Sequence, residues 1–91
     1  LTGVEDQSWQ RLDKFLFYAR FCRTRAIAAS LIAGGLVRIN RQPTEKPGAR
    51  VRIGDVLTMP LPQSVKVVEV IGLATRRGTA PQAQQLYREV L

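Results

Sequence analysis

Apolar residues return every three or four positions at Leu12, Phe15, Leu16 and Ala19. This period predicts a helix over about 9–20, with Ser8 as its N-cap. Arg11, Lys14 and Tyr18 fall on another side of that helix. Ile27, Ala28, Leu31 and Ile32 form the apolar arc of a second helix, opened by Thr24 as N-cap and ended after Ala33 by Gly34 and Gly35. The period then shortens to two. A strand is expected over 36–40, with Val37 and Ile39 facing in and Arg38 and Asn40 facing out. Pro43, Pro47 and Gly48 punctuate a turn-rich stretch, followed by a short strand over 49–53. Gly54 and Asp55 signal a turn before a strand over 56–59. Pro60, Leu61 and Pro62 read as a rigid link, and the Val- and Ile-rich run over 65–74 as the strongest strand. Thr79 and Gln82 suit a capping box for a last helix over 81–90. Residues 1–8 lack a period and read as a flexible arm.

Composition adds one decisive feature. The 91 residues suffice for one domain, and the 45% apolar content argues against disorder. Fourteen Lys and Arg against seven Asp and Glu give a net charge of +7. From Arg11 to Arg52 the chain has ten cations and two acids; elsewhere it has four cations and five acids. A protein charged only for solubility intersperses its signs. The basic block therefore calls for an anionic partner: nucleic acid, an acidic membrane or an acidic protein. The alternative is a solvated basic face with no partner. The sequence has no His, which removes the commonest general base and the commonest zinc ligand. The single Cys22 excludes an internal disulfide and a cysteine zinc cage. No apolar run approaches the roughly 20 residues that span a bilayer.

Candidate chemistry gathers between the two predicted helices, at Arg20, Arg23, Thr24 and Arg25. The first N–H groups of a helix lack intrahelical partners and sit at the positive end of its dipole. A helix start flanked by Arg23 and Arg25 suits a phosphate. Eight of the ten cations in the basic block are Arg, whose planar fork grips phosphate through two parallel hydrogen bonds. Thr24 alone is accounted for by its role as a cap. Phe17 and Phe21 can stack on bases, but packing against the last helix through Leu86 and Tyr87 is the preferred reading. Trp9 fits either role. Cys22 has cationic neighbours but no His or second Cys to support catalysis.

The stretch from Arg11 to Leu57 resembles the S-four RNA-binding domain. The matching pieces are Arg11-Leu12-Asp13-Lys14 with Leu16, Thr24-Arg25 with Ala28, Gly35 with Val37 and Asn40, then Lys46-Pro47 and Gly54-Asp55. Thr24 stands where the family usually has Ser. Arg41 stands where it usually has Gly, which counts against the tight two-residue turn that Asn-Gly forms. The run KFLFYARFCRTRA, and Arg76-Arg77-Gly78 followed by Pro81, Ala83 and Leu86-Tyr87, is similar to one subgroup, the fifteen-kilodalton heat-shock proteins.

The resemblance implies an α+β fold. Two packed N-terminal helices would lie against a small, mainly antiparallel sheet, in the S-four-like alpha-L arrangement, with an appended C-terminal helix. The core would occupy 9–59 and an extension of strand and helix 60–91. It implies RNA binding through Arg11, Lys14, Arg20, Arg23, Thr24, Arg25, Arg38, Asn40, Arg41 and Lys46. The implied partner is structured, ribosomal RNA on the free large ribosomal subunit, in the recycling of stalled subunits after heat stress. The protein is expected to be a cytoplasmic monomer without catalysis, cofactor, metal, small-molecule ligand or membrane contact. Two other readings remain beside this one. The first is an RNA-positioning domain of a larger RNA-modifying enzyme such as a pseudouridine synthase. The second is a DNA-binding helix-turn-helix, but the second helix exposes Ala29, Ser30 and Ala33, which offer little for base edges.

Overall fold

The computed structural model describes residues 8–90, so the arm expected over 1–8 lies outside the described residues except for Ser8. Helix α1 spans Leu12–Tyr18, shorter than the sequence predicts. The residues before it are drawn into an extended pairing instead: β1, Gln10–Arg11, runs antiparallel to β4, Arg50–Val51. Ser8 is therefore not the cap. Arg11 occupies the cap position without a side-chain bond, and the loop before β4 takes over that work. The amides of Leu12 and Asp13 donate to the carbonyls of Ala49 and Pro47 at 2.8 and 3.0 Å. At the other end, the amides of Arg20 and Phe21 donate to the carbonyls of Phe17 and Leu16, with Arg20 left-handed at φ 66°. This is a Schellman closure with Arg where Gly is usual.

Helix α2, Arg25–Ala33, opens as expected on Thr24, whose hydroxyl accepts from the Ile27 amide at 3.0 Å. Gly35, at φ 78°, turns the chain out of it. The strands β2 (Val37–Ile39), β3 (Gln42–Thr44), β5 (Val56–Pro60), β6 (Val65–Val70) and β7 (Tyr87–Glu89) form one antiparallel sheet in the order β3-β2-β5-β6-β7. Val37, Leu57, Met59, Val68 and Val70 bury its inner face with Leu12, Phe15 and Leu16 of α1 and Ala28 and Ile32 of α2. The class is the expected α+β.

Three local expectations are revised. The Pro60-Leu61-Pro62 link is part of a hairpin turn, closed by reciprocal bonds between the backbones of Leu61 and Ser64. β6 stops at Val70, because the amides of Ile71 and Gly72 turn to the Leu86 carbonyl. A side chain on Gly72 would meet the Gln85 carbonyl at 3.2 Å, so this close crossing favours glycine. The last helix is short. The Thr79–Gln82 capping box forms and opens α3, Ala80–Ala83, which tightens into a 3-10 turn over Gln84–Leu86. Tyr87 onward, expected to be helical, is instead an edge strand pairing with β6.

The Asn40-Arg41 turn forms despite its arginine. Ile39 pairs with Gln42 across it, and both central residues have positive φ, 50° and 75°. Asn40 supplies the reason. Its backbone amide donates to the Val56 carbonyl, its Nδ2 to Asp55 at 2.9 Å, and its Oδ1 accepts from the Val56 amide at 2.9 Å. These three bonds fix the turn from one side, and Arg41 must follow. A left-handed non-glycine residue costs about 1–2 kcal/mol, part of which glycine returns through its freer unfolded chain. Arg41→Gly is expected to stabilise the protein by about 0.5 kcal/mol, a rise of about 2–4 °C in Tm by calorimetry.

Candidate nucleic-acid interface

Asp13 is the one buried charged residue among those described, at 4% exposure. Its carboxylate receives Arg11 through two hydrogen bonds of 3.0 Å, from Nε and Nη2. It also accepts from the Lys14 amide at 2.8 Å and pairs with Arg25 of α2 at 3.5 Å. Burial pushes the Asp13 pKa up. The hydrogen bonds from Arg11 and the Lys14 amide, with the charges of Arg11 and Arg25, outweigh this and hold it below the usual value. The hydrogen bond to Asp13, and then its charge, raise Arg11 in turn, so both stay ionised. Both arginine side chains remain about half exposed, at 45% and 48%. A buried carboxylate thus draws together Arg11, from the strand residue that precedes α1, and Arg25, from the start of α2, while both side chains stay partly open to solvent.

Other expected residues join this cluster. Lys14 lies one helical turn from Arg11, and its ammonium is unpaired among the described residues. The 46–49 loop that caps α1 brings Lys46 to the same end of the helix. Arg23 and Thr24 lie at the start of α2, Arg23 exposed and unpaired among the described residues.

The rest are placed apart. Arg38 sits opposite Thr58 and Pro43, on the sheet face turned away from the helices. Arg41 is at the hairpin tip. Both amide ends of Asn40 are used within the fold, so its role is to fix the turn. Arg20 lies beyond the far end of α1 and donates to the Gly78 carbonyl at 3.2 Å.

Four arginines were not among the expected site residues. Arg50 lies over the Trp9 ring at 4.3 Å. Arg52 is exposed beside the β2–β3 hairpin, across a depression shared with Arg50 and Asn40. Arg77 donates to the Phe17 and Cys22 carbonyls at 3.0 and 3.4 Å and covers the Phe17 ring at 4.9 Å. Arg76 is exposed in the segment that crosses α1. Asp13 entered the sequence reading only as part of the family motif, although its place two residues after Arg11 at a helix start was a usable signal. Phe21 packs on Tyr87 with ring centroids 4.5 Å apart, and Arg77 covers Phe17, so packing describes both rings. Cys22 is buried, and burial pushes its thiol up, opposite to an activated nucleophile. No helix among the described residues is long and apolar enough to cross a membrane.

Comparison with known proteins bears on this geometry. The family model for the S4 domain matches residues 10–57. A heat shock protein 15 homolog of Aeromonas salmonicida is 42% identical over 86 residues, covering 94% of this chain and 64% of its own length. The trimeric structure of Vibrio cholerae heat shock protein 15 matches with a TM-score of 0.85 at 40% identity, over 90% of this chain and 82% of that one. Small ribosomal subunit protein uS4 of Cupriavidus taiwanensis is 31% identical over 70 residues, 75% of this chain and 34% of its own length. The chain spans about three fifths of the length of the heat shock relatives it matches.

The lowered Asp13 pKa has a defined consequence. Its stabilisation is complete above the unfolded carboxylate value of about 3.9 and is lost as pH falls through the lower folded value. Asp13→Asn is expected to cost about 1–3 kcal/mol at neutral pH, because the amide keeps one accepting oxygen, turns an NH2 donor toward a guanidinium donor and removes the charge that pairs with Arg11 and Arg25. The gap from the parent protein is expected to narrow below about pH 4, measured by urea denaturation across pH.

Proposed function

The chain belongs to the S4 domain family, in its heat shock protein 15 branch, and on that footing we propose that it is a non-catalytic protein that binds structured ribosomal RNA. The observation that carries the reading is the pair Arg11 and Arg25 held on buried Asp13, beside free Lys14 and Arg23 and the start of α2. Two half-exposed arginines, Arg11 fixed by two hydrogen bonds and Arg25 drawn to the same carboxylate by an ion pair, suit phosphates at a defined spacing, and the neighbouring cations add neutralisation without reading sequence. Such a face reads the shape of a folded RNA. Of the described carboxylates, Asp13, Asp55, Glu69 and Glu89 are each engaged by a cation or an amide and Glu45 stands alone in the β3–β4 loop, so none pairs with another carboxylate, which supports a role without catalysis. Similarity to heat shock protein 15 and to uS4 supports a cytoplasmic, ribosome-directed role under heat stress. The free large ribosomal subunit is the partner we assign. The Vibrio cholerae relative is a trimer, whereas the face described here is complete within one chain, so one copy is taken as the binding unit.

The test is a titration at two salt concentrations with a structured ribosomal RNA fragment and a DNA duplex of equal length. Preference for RNA with a steep salt slope is expected. Arg23→Ala with Arg25→Ala is expected to weaken binding at least tenfold and lower the slope by about 1.5–2. Equal affinity for both nucleic acids, or an unchanged slope in the variant, overturns this assignment. Cosedimentation with free large subunits then tests the named partner, and its absence overturns that part.

A further inference from the structure

The family segment ends at residue 57, yet the chain beyond it folds back over α1. Four hydrogen bonds hold it there. Gln10 Nε2 donates to the Ala74 carbonyl, Arg77 to Phe17 and Cys22, and Arg20 to Gly78. The crossing segment does not lie flush on the helix. It leaves two adjoining depressions of about 310 and 300 Å³ that share Tyr18, Leu73, Ala74 and Thr75 as walls. A third, of about 490 Å³, continues from them past Arg76 and Gly78 to Arg20. Together they make a trough along the exposed side of α1.

We propose that this trough holds a single-stranded stretch of RNA leaving the structured element bound at the Asp13 cluster, with Tyr18 as a stacking surface. The proposal rests on the RNA-binding reading above. Charge is the first argument. Arg11 and Lys14 stand at one end and Arg20 and Arg76 at the other, and no Asp or Glu lines any of the three depressions. The side chains of Lys14 and Arg76 make no hydrogen bond or ion pair with described residues, so both are available to phosphates. Chemistry is the second argument. Tyr18 and Trp9 add ring surface beside those cations, the combination that tracks a single strand by stacking bases and neutralising backbone. Size is the third. Depressions at the lower end of the range for small-ligand sites take bases one at a time, not a duplex. Only one wall lies in the family segment; the other is supplied by 73–82.

The test uses the full chain and three RNAs: a blunt hairpin, and the same hairpin with a six-nucleotide overhang on either its 5′ or its 3′ end. Fluorescence anisotropy is expected to show about tenfold tighter binding of one overhang form than of the blunt hairpin. Arg76→Ala combined with Tyr18→Leu is expected to abolish that preference. Leucine keeps an apolar side chain against the core, and Arg76→Ala alone, at an exposed loop position, is expected to lower the overhang's added salt slope by about 0.7. Tight binding of all three RNAs with equal affinity overturns the trough and leaves the RNA reading standing. Failure to bind any of them overturns both. A preference that survives in the double variant overturns the trough. So does a variant that changes the oligomeric state in sedimentation but not the preference, since the trough is then a contact between copies.

Discussion

The structure depends on making a seven-residue helix stable. In water, isolated helices below about 12–15 residues are marginal, because too few hydrogen bonds repay the ordering of their ends. Helix α1 is stable because other parts of the chain complete it. The 47–49 loop accepts from its first amides, and Arg77, from sixty residues downstream of Phe17, donates to carbonyls at its far end. Phe15, Leu12 and Leu16, fully buried, supply the packing. The same helix carries Lys14, follows directly on Arg11 and lies along the trough. Its tertiary completion is thus also the placement of the candidate interface.

Asp13 shows how the face tolerates its own charge. Arginines at the starts of two packed helices repel, and a carboxylate between them turns that repulsion into two attractions. A buried carboxylate without such partners would carry a large desolvation cost, so the three groups stabilise one another. On the proposed reading, Arg11 and Arg25 would be restrained before any ligand arrives, which would lower the entropy cost of gripping phosphate. Lys14, Arg23, Arg41 and Lys46 lack that restraint and would act through charge alone. Substituting a restrained arginine should disturb geometry as well as charge, whereas a free cation contributes little beyond one counterion.

What the sequence made legible was local. The apolar stripes of α1 and α2, the Thr24 cap, the Gly34-Gly35 stop and the Thr79–Gln82 box depend on residues within a few positions of one another, and all appear. The misplaced boundaries depend on distant partners. Gln10 and Arg11 are extended because Arg50 and Val51 lie beside them, and Tyr87 onward leaves helix because the edge of β6 is open there. The Asn40-Arg41 turn failed as a local inference because Asp55 and Val56 hold Asn40 from another strand. For the site, Arg23, Arg25 and Lys14 were legible as a charge block. The part played by Asp13 was not, since its second arginine arrives from the next helix.

Charge division along the chain also misleads about charge in space. The residues outside Arg11–Arg52 carry slightly more acid than base, yet folding returns Arg76 and Arg77 to α1. The two neighbours then have different fates. Arg77 is used internally, on two carbonyls and a ring, and fastens the crossing segment. Arg76 is left exposed by that fastening. The clamp therefore accounts both for the crossing segment's place over α1 and for the exposed cation beside it. On the proposed reading, a groove fixed by Arg77 would need little reordering to accept a strand, so its contribution to binding should persist at low temperature and should disappear with loss of the clamp even when Arg76 is intact.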